Sequence, residues 1–261
     1  MKYFDSHAHY WDRRFISETE EGVEALLNTL FSENISGIIN VGTSVHTSRL
    51  ALAQATLYDG MYVAAGIHPG DCAELSLADE MPALERLLTD ERQKIRAIGE
   101  IGLDYYWKPF DKEKQKSFFE AQMCLAEKMG LPVVIHDREA HGDCFDMVRA
   151  FPKVRGVFHS YSGSAEMAKD LVRRGYMISF SGTISFKNAR SVKEAASVLP
   201  KDSVMIETDA PYLAPHPHRG KLNHSGLLSF TCAALAEAWG ISPEETASIT
   251  EQNAKRFFGL L

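Results

Sequence analysis

Pro132-Val-Val-Ile-His136-Asp-Arg138 sets an unbroken apolar run in front of a histidine. Such a run fits a strand buried on both faces, as in a helix-covered parallel sheet, better than a strand with one wet face. The histidine at its downstream end adds chemistry to that reading. Four other stretches follow the same plan: FDSHAH (4–9), RAIGEIG (96–102), GVFHSYSG (156–163) and VMIETDAP (204–211). Each joins an apolar run to a residue able to bind a metal ion. The residues are His7 with His9, Glu100, His136, His159 and Asp209.

Working outward, strand-like runs fall at Tyr3–His7, Gly37–Gly42, Tyr62–His68, Arg96–Asp104, Pro132–Arg138, Gly156–Ser162, Tyr176–Gly182 and Val204–Asp209. Helical patterns lie between them. Ser17 with Glu20 reads as a capping box ahead of Val23, Leu26, Leu27, Leu30 and Phe31. Asp111 can cap a helix that ends at Gly130, Ser164 one that ends at Gly175, and Ser242-Pro243 opens another. Strand and helix alternating in this way argue for an α/β protein, a TIM-type (β/α)8 barrel, as a single domain over 1–261. The 261 residues, 45% hydrophobic, suit one such barrel, and no linker-like segment divides them.

The formal net charge of −7 excludes a global basic field of the kind that holds nucleic acid along a surface. Local phosphate contacts remain compatible with it. The cysteines, Cys72, Cys124, Cys144 and Cys232, form no CxxC pair and read as small buried hydrophobes. The chain opens directly on a strand, and no apolar run approaches the ~20 residues of a membrane span. A cytoplasmic protein is expected, with neither a membrane nor an obligate protein partner.

In a barrel of this kind active sites form where the strands end, so the ligand-type residues converge. His7 and His9 share a face, because strand side chains alternate. Glu100 interrupts an apolar run, where a buried carboxylate needs an ion pair or a metal. Its two oxygens suit it to bridge two cations. His136 and His159 are further donors, or else hydrogen-bonded core histidines. Asp209 can bind a cation and accept a proton. Glu207, one layer deeper, reads as support for a ligand, or as half of a buried ion pair. His68 and Arg138 are candidate contacts for an anionic group, as are Arg219 and Lys221 in the long loop after the last run. Tyr161, Tyr105, Tyr106 and Trp107 follow strands and can stack on bases, or simply pack the rim. The set suits two divalent cations and metal-assisted hydrolysis, with imidazole favouring Zn, Mn, Fe or Ni over a site made only for Mg.

These segments, with GIHP (66–69), ISFSGTISFK (178–187), HRGK (218–221) and NAKRFFGL (253–260), resemble the TatD family of metal-dependent deoxyribonucleases in the amidohydrolase superfamily. The similarity runs almost end to end. It implies a two-metal barrel with ligands at His7, His9, Glu100, His136, His159 and Asp209, and His68 near the substrate. It also implies DNA, weakly held, as substrate, often through 3'→5' exonuclease action on single strands. The sequence departs from the family pattern at Gly70, at Asp137 and at Asn223-His224-Ser225, which leaves the last loop's shape open. The same metal core can also cleave a small ester, amide or lactone, since neither fold nor metal selects the substrate.

Overall fold

The computed structural model describes every residue except Glu20. Eight strands make one sheet in sequence order: β1 (Tyr3–Ala8), β2 (Ile35–Val41), β3 (Met61–Ala65), β4 (Ile95–Asp104), β5 (Val133–Arg138), β6 (Gly156–Phe158), β7 (Met177–Phe180) and β8 (Val204–Ile206). Every paired neighbour is parallel. Helices α1 (Arg13–Ser17), α2 (Gly22–Glu33), α3 (Val45–Ala55), α4 (Leu77–Asp90) and α5 (Lys112–Met129) occupy the first half. They are followed by α6 (His141–Ala150), α7 (Ala165–Arg173), α8 (Arg190–Val198), α9 (Leu228–Trp239) and α10 (Pro243–Phe257). The expected (β/α)8 barrel is the observed fold. No helix is long and apolar enough to cross a membrane among the described residues.

Two apolar layers explain the continuous runs. Phe4, Ile39, Val41, Ala64, Ala97, Val134, Val157 and Met205 form one buried cluster inside the barrel. Their strand neighbours, among them Ile38, Val63, Ile98, Ile135 and Phe158, belong to a second cluster that packs under the helices. Phe257, Phe258 and Leu260 at the end of the chain join the inner cluster and close the barrel floor; Phe258 stacks on Phe4 at 6.3 Å. With the floor filled, the open face is the downstream one.

The inner positions also phase the site. Two residues beyond Val134 comes His136, two beyond Val157 comes His159, and beyond Met205 come Glu207 and then Asp209. Side chains two apart share a face, so these residues continue the inner column upward. On β1 and β4 the register shifts between Asp5 and Ala8 and between Ile98 and Ile101. Those shifts bring His7, His9 and Glu100 to the same mouth. Next to Glu100 the backbone is crowded: a Cβ on Gly102 (φ +135°) would meet the carbonyl oxygen of His136 at 2.0 Å. Only glycine fits there.

Several helix starts are as expected. Asp111, Ser164 and Ser242 accept backbone hydrogen bonds from Lys114, Met167 and Glu245. Of the expected Ser17–Glu20 capping box, Ser17 alone is among the described residues. Asp12 caps α1, Ser17 is its last residue, and the Ser17 hydroxyl donates back to the Arg13 and Arg14 carbonyls. Glu20 lies outside the described residues, and α2 begins at Gly22. The strand ends were also expected too far downstream. His68, His159–Ser162, Ser181–Gly182 and Glu207–Asp209 lie beyond the strand ends, although His159, Tyr161, Glu207 and Asp209 still donate backbone bonds to neighbouring strands. There the backbone turns over the mouth; Ser160 and Asp209 adopt φ of 41° and 57°. Glu100, expected at a strand end, sits inside β4. Three cysteines are buried as expected, while Cys124 is exposed on α5.

The barrel closes at β1 and β8 by few backbone bonds. Asp209 N donates to the His7 carbonyl at 2.9 Å and His9 N to the Ala210 carbonyl at 2.7 Å. Below them side chains do the work. The fully buried Asp5 accepts from Thr208 N at 3.0 Å, Thr208 Oγ1 at 2.6 Å and Ser225 Oγ at 2.6 Å. Ser6 Oγ donates to the Ile206 carbonyl at 3.0 Å. Replacing Asp5 by Ala strands those donors in a dry seam. Asp5→Ala is expected to lower stability by about 2–4 kcal/mol, read by urea and thermal unfolding. A midpoint within error of the parent would show that the seam does not depend on this carboxylate.

Candidate metal centre

Glu100, 3% exposed, lies at the centre of the mouth, and its two oxygens face different partners. Oε2 is 3.4 Å from His7 Nε2 and 3.6 Å from His9 Nε2. Oε1 is 2.8 Å from His136 Nδ1 and 2.7 Å from His159 Nε2. Asp209 Oδ1 completes the first group, 3.4 Å from His9 Nε2 and 3.7 Å from His7 Nε2. Donors at such spacings can all reach one divalent cation at about 2.0–2.2 Å. Groups able to hold an ion are His7-His9-Glu100, His7-His159-Asp209 and His68-Glu100-His136. Imidazoles and carboxylates together suit a first-row divalent cation. The donor set therefore fits the cations that the sequence implies.

Partners behind the histidines set which nitrogen faces the cluster. His9 Nδ1 donates to the Val41 carbonyl at 2.7 Å, leaving Nε2 for the mouth. Glu207 Oε1 lies 3.2 Å from His159 Nδ1 and accepts from Ser160 N at 2.8 Å. Glu207 thus stands behind a candidate ligand, the first of its two expected roles. Asp104 Oδ2 is 3.0 Å from His136 Nε2 and does the same for that ring. The sequence reading passed over Asp104. Its signal was available: a carboxylate four residues beyond Glu100, at the downstream end of the same strand. Asp5 was also missed, because its partners come from residues 208 and 225.

Electrostatics follow the geometry. Burial would raise the Glu100 pKa, but His159, His7 and His68 outweigh it and hold the carboxyl well below its ordinary value. Burial would lower that of His159, yet Glu100 and Glu207 keep it well above ordinary. Asp104 is raised by burial, and His136 with the Trp107 and Tyr106 amides brings it down to about 2. Asp209 is lowered against burial by His9, His159 and His7. His68 goes the other way: burial and His136 push it down to about 3. Its Nδ1 accepts from Gly70 N at 3.0 Å, so the proton sits on Nε2, 3.7 Å from Glu100 Oε1.

Around these groups opens a cleft of about 790 Å³, lined among others by His68, Arg138, Arg219 and Lys221. Four of the expected substrate contacts are therefore at the cleft. Tyr161 is not: it is 3% exposed, belongs to the core, and donates its hydroxyl to the Ser164 carbonyl at 2.7 Å. The chain turns at Ser160 (φ 41°), and the Tyr161 ring packs in the cluster under the helices instead of facing the mouth. Tyr105 is likewise turned aside, donating to Asp143 at 2.7 Å. Of the departures from the family pattern, Ser225 has a defined role as the donor to Asp5. Asn223 Nδ2 donates to the carbonyls of Thr208 and Tyr212 at 2.8 and 2.6 Å, which fixes the last loop over the mouth.

The imidazoles must be neutral to ligate, whereas His9, His136 and His159 are held above their ordinary pKa by the carboxylates. Cation binding is thus expected to release protons and to tighten as pH rises above the ordinary imidazole range. Calorimetric titration of the metal-stripped protein in two buffers of different ionisation heat measures the release. Equal affinities on both sides of that range would contradict the ligand set.

Comparison with known proteins places the chain in a family of metal-dependent hydrolases. The family model described as TatD related DNase matches residues 4–259. A metal-dependent hydrolase of Bacillus subtilis is 36% identical over 257 residues, covering 98% of each chain. Another, from Mycobacterium tuberculosis, is 36% identical over 244 residues and 91% of each chain. The crystal structure of a TatD homologue from Escherichia coli K12 superposes with a TM-score of 0.91 at 28% identity, covering 99% of this chain and 98% of the other. The chain belongs to the TatD-related family and is a metal-dependent hydrolase of that type.

Proposed function

We propose that this protein is a deoxyribonuclease that hydrolyses phosphodiester bonds of single-stranded DNA, working from the 3' end, with two divalent cations, Mg, Mn or Zn, in the centre. The observation that carries this reading is the split of Glu100: one oxygen to the His7–His9 side, the other to the His136–His159 side. A carboxylate placed in that way can serve two cations at once. Such a pair, when bound, supplies a water of lowered pKa and positive charge for the phosphoryl oxygens.

The side chains supply the rest. Asp209, ionised and at the mouth, is placed to accept the proton of the attacking water. His68, neutral with its proton on Nε2, can donate a hydrogen bond to a phosphoryl oxygen without adding charge. Arg138, Arg219 and Lys221 give the cleft a local positive rim on a chain of net charge −7. A guanidinium offers phosphate two parallel donors. With so few cations the grip is weak and salt-sensitive, which suits an enzyme that must release its product.

The test is degradation of end-labelled single-stranded DNA by metal-stripped protein with Mg, Mn or Zn restored. Shortening is expected only with metal, from the 3' end. Asp209→Ala is expected to slow it by about 10²–10⁴-fold, and Glu100→Ala to abolish it. A Glu100→Ala protein turning over at the parental rate would remove the bridging role. No cleavage with any metal, with both positions filled, would transfer the centre to a small ester, amide or lactone substrate.

A further inference from the structure

The cleft is flanked by two groups of unlike chemistry. In the strand order β4 and β8 stand four places apart, on opposite sides of the mouth. On the β4 side the chain leaving Asp104 presents Tyr106 and Trp107, 45% and 66% exposed. Arg138, at the end of β5, lies 4.2 Å from the Tyr106 ring centre and 5.6 Å from that of Trp107. On the β8 side Arg219 lies over Phe186 at 4.4 Å, and Lys221 lines the same wall. The Phe186 ring is thus capped by a guanidinium, and that wall offers charge. The Trp107 indole, with Tyr106 edge-on at 4.9 Å and the Arg138 guanidinium farther from its centre than Arg219 is from that of Phe186, stays mostly exposed.

Trp107 is also held in place from the metal centre. Asp104 Oδ1 accepts from Tyr106 N at 2.9 Å and from Trp107 N at 3.1 Å. The other oxygen of the same carboxylate is the one beside His136 Nε2. A single side chain therefore fixes a candidate ligand and the start of the aromatic turn together. A pocket of about 120 Å³ opens beside the indole, between it, Lys108, Phe110 and Ala73. Two exposed rings make too small a patch for a stable protein interface.

We propose that Trp107 is the stacking platform for the base of the nucleotide on one side of the scissile phosphate. Arg219 and Lys221 hold backbone phosphate on the other side, so the strand crosses the mouth from β8 to β4. The proposal rests on the nuclease reading above and assigns a place to base and phosphate within it. Every base has a π face, so stacking on an indole grips nucleic acid without reading its sequence. Arg138, stacked on Tyr106, keeps its N–H edge free for the phosphate that follows the stacked base.

Two substrates of equal length and charge test this: oligothymidylate and a deoxyribose-phosphate chain without bases. The parent is expected to favour oligothymidylate about tenfold in kcat/KM, and Trp107→Ala to bring that ratio close to one. Arg219→Ala is expected to weaken both substrates alike and to reduce the salt dependence. A binding measurement needs no turnover. Indole emission of the chelator-treated protein is expected to be quenched by oligothymidylate and not by the base-free chain, with the quench absent in Trp107→Phe. A preference retained by Trp107→Ala, or a quench retained by Trp107→Phe, overturns the assignment. If the parent cleaves neither chain, the nuclease reading fails by itself, and the quench still decides whether Trp107 holds a base.

Discussion

Glu100 carries a charge at 3% exposure inside an apolar barrel, and the arrangement of the mouth follows from the need to compensate it. An isolated carboxylate there would be protonated or expelled. Five histidines, His7, His9, His68, His136 and His159, surround it, and His159, His7, His68 and His136 hold it ionised against burial. His7, His9 and His159 are themselves buried and His136 half-buried, and each of three is held by a group behind it: Val41 for His9, Glu207 for His159 and Asp104 for His136. The result is a rigid set of donors, with both oxygens of the central carboxylate already directed to separate sides. Divalent cations take the place of protons in such a set, which is the link between the packing problem and the hydrolytic chemistry.

The second constraint is closure. A parallel barrel must join its first strand to its last, and here the two are short of backbone ladder. Asp5 fills the gap by accepting from Thr208 and Ser225, while Ser6 reaches the Ile206 carbonyl. His7 and His9 follow Asp5 along the first strand and its end, and Asp209 follows Thr208 just beyond the last strand. The seam that closes the barrel thus also sets the distance between the first histidine pair and Asp209. The Ser225 contact extends this to the loop that carries Arg219 and Lys221, so the basic wall of the cleft is tied to the same carboxylate.

Much of this was readable beforehand. Runs such as Pro132–Ile135 gave buried parallel strands, and the ligand types at their ends gave a converging centre. The strand ends were misplaced, however. A run like Gly156–Ser162 stays compatible with a strand in its composition, while the strand ends at Phe158. Tyr161 was placed at the cleft because it follows a strand, yet the turn at Ser160 sends it into the core. Ser17, expected to open a helix, instead ends a short one capped by Asp12. In each case local pattern could not register where the chain turns.

By itself, the sequence determined the barrel class, the ligand-type residues and the hydrolytic character, because these depend on residue type and on periods of two and of about 3.6. Only the tertiary structure decided which oxygen of Glu100 faces which histidine. It alone placed Asp104 behind His136 and beneath Trp107, and set Asp5 as the clasp of the seam. Apart from the local bond between Asp104 and Trp107, those are contacts between residues 32 to 220 apart in the chain, such as Asp104 with His136 and Asp5 with Ser225. No local pattern encodes such pairs; they arise when the inner columns of separate strands are brought to one mouth.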